Sequence, residues 1–133
     1  MAESKNDAKG KQALVLDDSR AGRMILRKFL TDLGFKVTEA ETAHEGLQSL
    51  KKGNKFEVML VDGDLRGING LEFIRRVRAD EDNKSTPIIM LSSQSSRDRM
   101  MEAIEAGANE YIIKPFNKEA LETKLELLGI ESR

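Results

Sequence analysis

A chain of 133 residues, 39% hydrophobic and 34% charged, has room for one compact domain with a real core and little room for a second. Lys and Arg number 22 against 23 Asp and Glu, a formal net charge of -1, so no global basic field exists to draw in nucleic acid. The absence of cysteine excludes disulfides, thiolate metal sites and cysteine nucleophiles, and no apolar run approaches a membrane span, so a cytoplasmic protein without membrane insertion is expected.

Residues 1–11 are polar and lack periodicity, which predicts a flexible N-terminal tail ahead of a domain over 12–133. ALVL at 13–16 reads as a first strand, and Leu26, Phe29, Leu30 and Leu33 then recur at helical spacing with Gly34 as a stop. FKVTEA at 35–40 alternates, as an edge strand does. Thr42 with Glu45 forms a capping-box pattern for a second helix carrying Ala43, Leu47 and Leu50 and closing near Gly53. VMLV at 58–61 and IIML at 88–91 are continuous apolar runs of the kind found in strands covered on both faces, with a helix expected at 70–79 between them. A fourth helix is expected over 97–106, with Met100, Ala103, Ile104 and Gly107 as its core stripe and Met101 and Glu105 outside it. YII at 111–113 is a fifth strand. The last helix, 117–128, begins with Asn117 as cap and the acids Glu119 and Glu122, and buries Leu121, Leu125 and Leu128. Five strand-then-helix units predict a single α/β domain, a five-stranded doubly wound parallel sheet of the flavodoxin-like kind.

Ligands of such sheets bind beyond the C-terminal strand ends, and that edge collects acids. Asp17 and Asp18 follow the first strand and Asp62 the third. An Asp pair in this place is by itself more often capping chemistry, and Asp18 with Ser19 fits that too; Asp62 alone is as readily structural as functional. Together the three carboxylates repel one another unless a cation offsets them, and an all-oxygen donor set suits Mg²⁺. Lys114, ahead of Pro115, places an ammonium at the same edge, and Ser92 and Ser93 end the fourth strand, where serines also serve simply as turn formers. His44, the only histidine, lies beside the capping box and away from the acids, and reads as exposed.

An acidic pair after strand one, Asp after strand three, Ser after strand four and Lys-Pro after strand five resemble the receiver domains of two-component signalling, of the stand-alone chemotaxis (CheY-like) type, over residues 12 to 129. The resemblance implies that Asp62 is the phosphoacceptor, with Mg²⁺ held by Asp18, Asp62 and the backbone carbonyl of Asp64 and supported by Asp17 through water. It further implies Ser92 as the switch hydroxyl, Lys114 as the phosphate-pairing lysine and Tyr111 as an aromatic that turns inward on signalling. Asp64 and Gln94 stand at variable positions that tune phosphoryl lifetime, and Gly70 fits the glycine after the acceptor loop. Arg66 replaces a frequent proline and Gly63 has no side chain, which together suggest a more mobile loop after Asp62. The expected partners are a sensor histidine kinase as phosphodonor and a target protein on the fourth helix, fifth strand and fifth helix; the molecule is expected to be a monomer that signals through protein contact, not an enzyme with its own substrate. Two alternatives stay open: a haloacid-dehalogenase-like phosphatase using Asp62 and Asp64, and an adaptor that ignores phosphate. A nucleotide-binding role lacks the glycine-rich turn after strand one, which reads LDDSRAG.

Overall fold

The computed structural model describes residues 11–65 and 69–132. In chain order they form β1 (Gln12–Leu16), α1 (Arg20–Asp32), β2 (Lys36–Ala40), α2 (Ala43–Lys51), β3 (Val58–Asp62) and α3 (Gly70–Ala79). A short 3₁₀ turn (Glu81–Asn83) leads to β4 (Ile88–Ser92), α4 (Arg97–Ala106), β5 (Glu110–Ile113) and α5 (Lys118–Leu127). The expected tail lies, apart from Lys11, outside the described residues, as does Arg66.

All strand pairs are parallel and the order is β2-β1-β3-β4-β5, so the alternating run at 35–40 does become an edge strand. Alternation sorts the buried side chains into two cores. Leu14, Leu16, Met59, Val61, Ile88 and Met90 face α2, α3 and α4, where Phe73, Ile74 and Val77 are fully buried. Ala13, Val15, Leu60, Ile89 and Leu91 face α1 and α5 and meet Leu26, Leu30, Leu121 and Leu125. Each large apolar side chain so buried contributes about 1.5–3 kcal/mol. Because β1 leads outward to β2 and β3 leads the other way to β4, the helices following β1 and β3 cover opposite faces and leave a crevice above those two strands.

Every helix opens on a side-chain cap: Ser19 accepts from the Gly22 N–H, Thr42 from Glu45, Asn69 from Glu72, Ser96 from Arg99 and Asn117 from Ala120. The Glu45 carboxylate reaches back one residue further than in the usual capping box, accepting from the Glu41 N–H at 2.7 Å. Two expectations need correction. Ile104 is exposed at 49% and is not part of the α4 core stripe; Ala103 and Ala106 are the buried residues there, because α4 lies over the sheet margin and seats only its small side chains. Leu128 is the α5 C-cap and only partly buried, while Ile130 beyond it enters the core.

Candidate functional site

The sheet's own hydrogen bonds continue one step past the strand ends and fix the backbone of the site. The N–H of Asp17 donates to the Ala40 carbonyl (3.1 Å), that of Gly63 to Leu91 (2.7 Å) and that of Lys114 to Ser92 (2.8 Å). The Lys114–Pro115 peptide is cis. This framework gathers Asp17, Asp18, Asp62, Asp64, Ser92 and Lys114 at one edge. Asp62 closes β3 from within the strand and is buried. Its Oδ1 accepts from Lys114 Nζ at 3.0 Å and from the Asp64 N–H at 2.9 Å.

Carboxylate oxygens of Asp17, Asp18 and Asp62 lie within 4.8 Å of one another, a spacing that fits one small cation. Asp17 is buried, and its Oδ1 accepts from the Ser19 N–H at 2.8 Å. Burial pushes its carboxyl up to about 6, reinforced by the charge of Asp62 and opposed by the Ser19 N–H and Lys114. For Lys114, burial works against the ammonium, yet its hydrogen bond to Asp62 and the charges of Asp62, Asp64 and Asp17 hold its pKa above the usual lysine value. The helix cap beside the acidic pair is Ser19 and not Asp18, so capping does not account for Asp18.

Asp64 turns toward the β4 end. Its carboxylate accepts from Ser92 Oγ (3.3 Å), from the Ser93 N–H and Oγ (3.2 Å each), and pairs with Lys114 Nζ at 3.5 Å. Against the cost of burial, the Ser93 N–H and Lys114 hold its pKa below the usual aspartate value. Ser92 is fully buried, and its Oγ accepts from the Gln94 N–H at 3.0 Å. Tyr111 is buried, and its hydroxyl donates to the Gln94 carbonyl at 2.7 Å. Gln94 thus joins Ser92 to Tyr111 through its backbone, while its side chain is exposed. The Tyr111 side chain is buried in this conformation. His44 is exposed, as expected.

Two contributors escape a reading of the sequence. A Cβ on Gly22 would stand 2.3 Å from Asp17 Oδ2, so this glycine makes the space the carboxylate occupies. A glycine in the first turn of a helix, against propensity, is the signal that points to it. Arg99 of α4 donates through Nη2 to the Gly63 carbonyl at 3.0 Å, while its Nε is buried without a partner among the described residues. Nothing in the sequence distinguishes it from an ordinary helix arginine paired with Glu102. Gly63 is therefore held from two sides, and a Cβ there would meet Met90 Sδ at 3.0 Å; of the loop after Asp62, expected to be mobile, residues 66–68 lie outside those described. Gly70 also has a spatial reason, since its Cβ would lie 2.7 Å from the Asp62 carbonyl.

A family model described as the response regulator receiver domain matches residues 13–126. The chemotaxis protein CheY of Pseudomonas aeruginosa is 39% identical over 114 residues, 85% of this chain and 91% of that protein. A CheY homolog of Campylobacter jejuni is 39% identical over 121 residues, 90% of this chain and 93% of the homolog. Among solved structures, a chemotaxis CheY protein of Vibrio cholerae aligns with a TM-score of 0.83 at 32% identity, covering 88% of this chain and 97% of that one. The receiver domain of a sensor histidine kinase from Pseudomonas aeruginosa, with a magnesium ion coordinated in its active-site cleft, aligns with a TM-score of 0.81 at 25% identity over 88% of this chain and 95% of that one.

Proposed function

The chain belongs to the response regulator receiver family, the CheY-like receivers of two-component signalling, and from that premise we propose that Asp62 accepts a phosphoryl group from a sensor histidine kinase or a small acyl phosphate, with Mg²⁺ at the acidic edge. The observation that carries this reading is the approach of Lys114 Nζ to Asp62 Oδ1 at 3.0 Å beside the Asp17 and Asp18 carboxylates. One buried carboxylate is thereby set between a fixed cation and a cation-binding pair.

In the transfer, a carboxylate oxygen of Asp62 attacks phosphorus and a P–O bond forms. The bond from phosphorus to the donor, an imidazole nitrogen or an acyl oxygen, breaks and takes its electron pair to the leaving group. Charge on the phosphoryl oxygens falls to Lys114, which can turn its ammonium from Asp62 Oδ1 to the incoming group, and to the Ser92 hydroxyl and Ser93 N–H at the end of β4. Asp18, Asp62 and the Asp64 carbonyl would hold Mg²⁺, with Asp17 behind them; the ion supplies further neutralisation of phosphoryl charge when bound. Asp17, pinned by Ser19 and shaped by Gly22, keeps the acidic wall in place.

The message leaves through α4, β5 and α5. A groove of about 650 Å³ there is lined by Met100, Tyr111, Ile113, Phe116, Ala120 and Lys124, and Met101 and Ile104 stand exposed beside it, so this side offers a target protein more apolar surface than the sequence suggests. Phosphoryl arrival reaches it through Ser92, the Gln94 backbone and Tyr111. Acetyl phosphate with Mg²⁺ is expected to add one phosphoryl mass to the protein and none to Asp62→Asn, read by intact-mass spectrometry. Equal labelling of the variant would end this assignment.

A further inference from the structure

Asp64 is left by the family resemblance as a variable position, yet its carboxylate gathers four donors at the site. Oδ1 takes the Ser92 hydroxyl at 3.3 Å, and Oδ2 takes the Ser93 N–H and hydroxyl at 3.2 Å and Lys114 Nζ at 3.5 Å. Lys114 Nζ is at the same time 3.0 Å from Asp62 Oδ1, so this anion-binding nest stands directly beside the nucleophile. A hydroxyl, a backbone N–H and an ammonium converging on one point form the kind of site that binds an oxyanion. Here a side chain of the protein fills it.

We propose that the Asp64 carboxylate is an internal occupant of the phosphoryl pocket, taking in the resting protein the donors of Ser92, Ser93 and Lys114 that a phosphoryl group on Asp62 needs, and leaving when that group arrives. This rests on Asp62 being the phosphoacceptor. Two consequences follow. Phosphorylation is slowed by the need to displace a hydrogen-bonded anion and by its repulsion of the incoming donor. The β4 end is held beforehand in an occupied arrangement, with Ser92 engaged and the Tyr111 hydroxyl on the Gln94 carbonyl, so phosphoryl arrival exchanges one anion for another and changes that region modestly.

The test compares wild type, Asp64→Ala and Asp64→Asn, each with acetyl phosphate at Mg²⁺ concentrations saturating for that protein, by the rate of phosphoryl gain in intact-mass measurements. Removing one charge-assisted hydrogen-bonded anion should quicken labelling of Asp64→Ala about tenfold. Asp64→Asn, which keeps the shape and one acceptor oxygen, should fall between. In amide NMR of the unphosphorylated proteins, Ser93 and Gln94 should move on going from wild type to Asp64→Ala, and beryllofluoride should then shift them further in the variant than in wild type. Wild type labelled on Asp62 with Asp64→Ala no faster, or with Ser93 and Gln94 unmoved by the substitution, overturns the role of Asp64 alone. A wild type that takes no label on Asp62 overturns the phosphoacceptor reading and this inference with it.

Discussion

Asp17 is the residue at which the requirements of folding and of binding pull in opposite directions. A buried carboxyl raised from 3.8 to about 6 binds more protons in the folded than in the unfolded chain between those values. Its contribution to stability is therefore largest below the unfolded value, declines as pH rises through that window, and stays lost above it. A divalent cation favours the ionised form, so its binding competes with the proton. The thermal midpoint gained on adding Mg²⁺ should accordingly be small near about pH 5 and larger near about pH 7.5, and should shrink at both in Asp17→Asn. Differential scanning calorimetry at the two pH values checks this; a gain independent of pH would place the ion away from Asp17. The carboxylates, Ser92 and Lys114 were legible from sequence because each ends an apolar run at one sheet edge. The position of Asp64 was not, since a side chain two residues past a strand can turn either way, and only the donors at the end of β4 decide it.

At the scale of elements, apolar runs located the five strands, and helical periodicity, with caps at Thr42 and Asn117, located the five α-helices, while the 3₁₀ turn at Glu81–Asn83 carries no such signal. Helix phase was less legible. On α4 the spacing of Met100, Ala103 and Ile104 reads as one broad stripe, whereas the sheet margin accepts only Ala103 and Ala106 in full. Contacts between distant segments were not legible at all, and the bond from Arg99 to Gly63 spans 36 positions. That bond ties α4 to the loop after Asp62, but the same guanidinium buries an Nε without a partner among the described residues, a cost that offsets part of the bond. Arg99→Met, which removes both together with the exposed pair to Glu102, should change stability by less than about 1 kcal/mol, while Arg99→Ala, which also empties the space, should cost about 1–2 kcal/mol. Urea denaturation measures both, and faster amide exchange at Asp64 in each variant would report release of the loop. A loss in Arg99→Met as large as in Arg99→Ala would mean that the bond to Gly63 outweighs the orphaned donor.

For the molecule as a whole, two cores share one sheet, so damage to either should be felt by both. Phe73, fully buried among residues of β1, α2 and α3, should cost about 3–5 kcal/mol as Phe73→Ala. With one tyrosine and no tryptophan, Tyr111 is a single-site fluorescence probe on that side of the sheet. Its unfolding curve should coincide with far-ultraviolet circular dichroism in wild type and variant alike; separate transitions would mean that the cores melt independently. The parallel order itself was legible as alternating strands and helices, but which strands become neighbours emerges only from the crossovers. That order matters for more than shape. Asp17, Gly63 and Lys114 each hang from a carbonyl of an adjacent strand, β2 for the first and β4 for the other two. A chain in which β4 is unpaired still carries every acidic residue of the site, but has no rung on which to hang the loop after Asp62 or the lysine. Assembly of the site therefore depends on completion of the sheet: only a chain paired through β4 holds the loop after Asp62 and Lys114 in place.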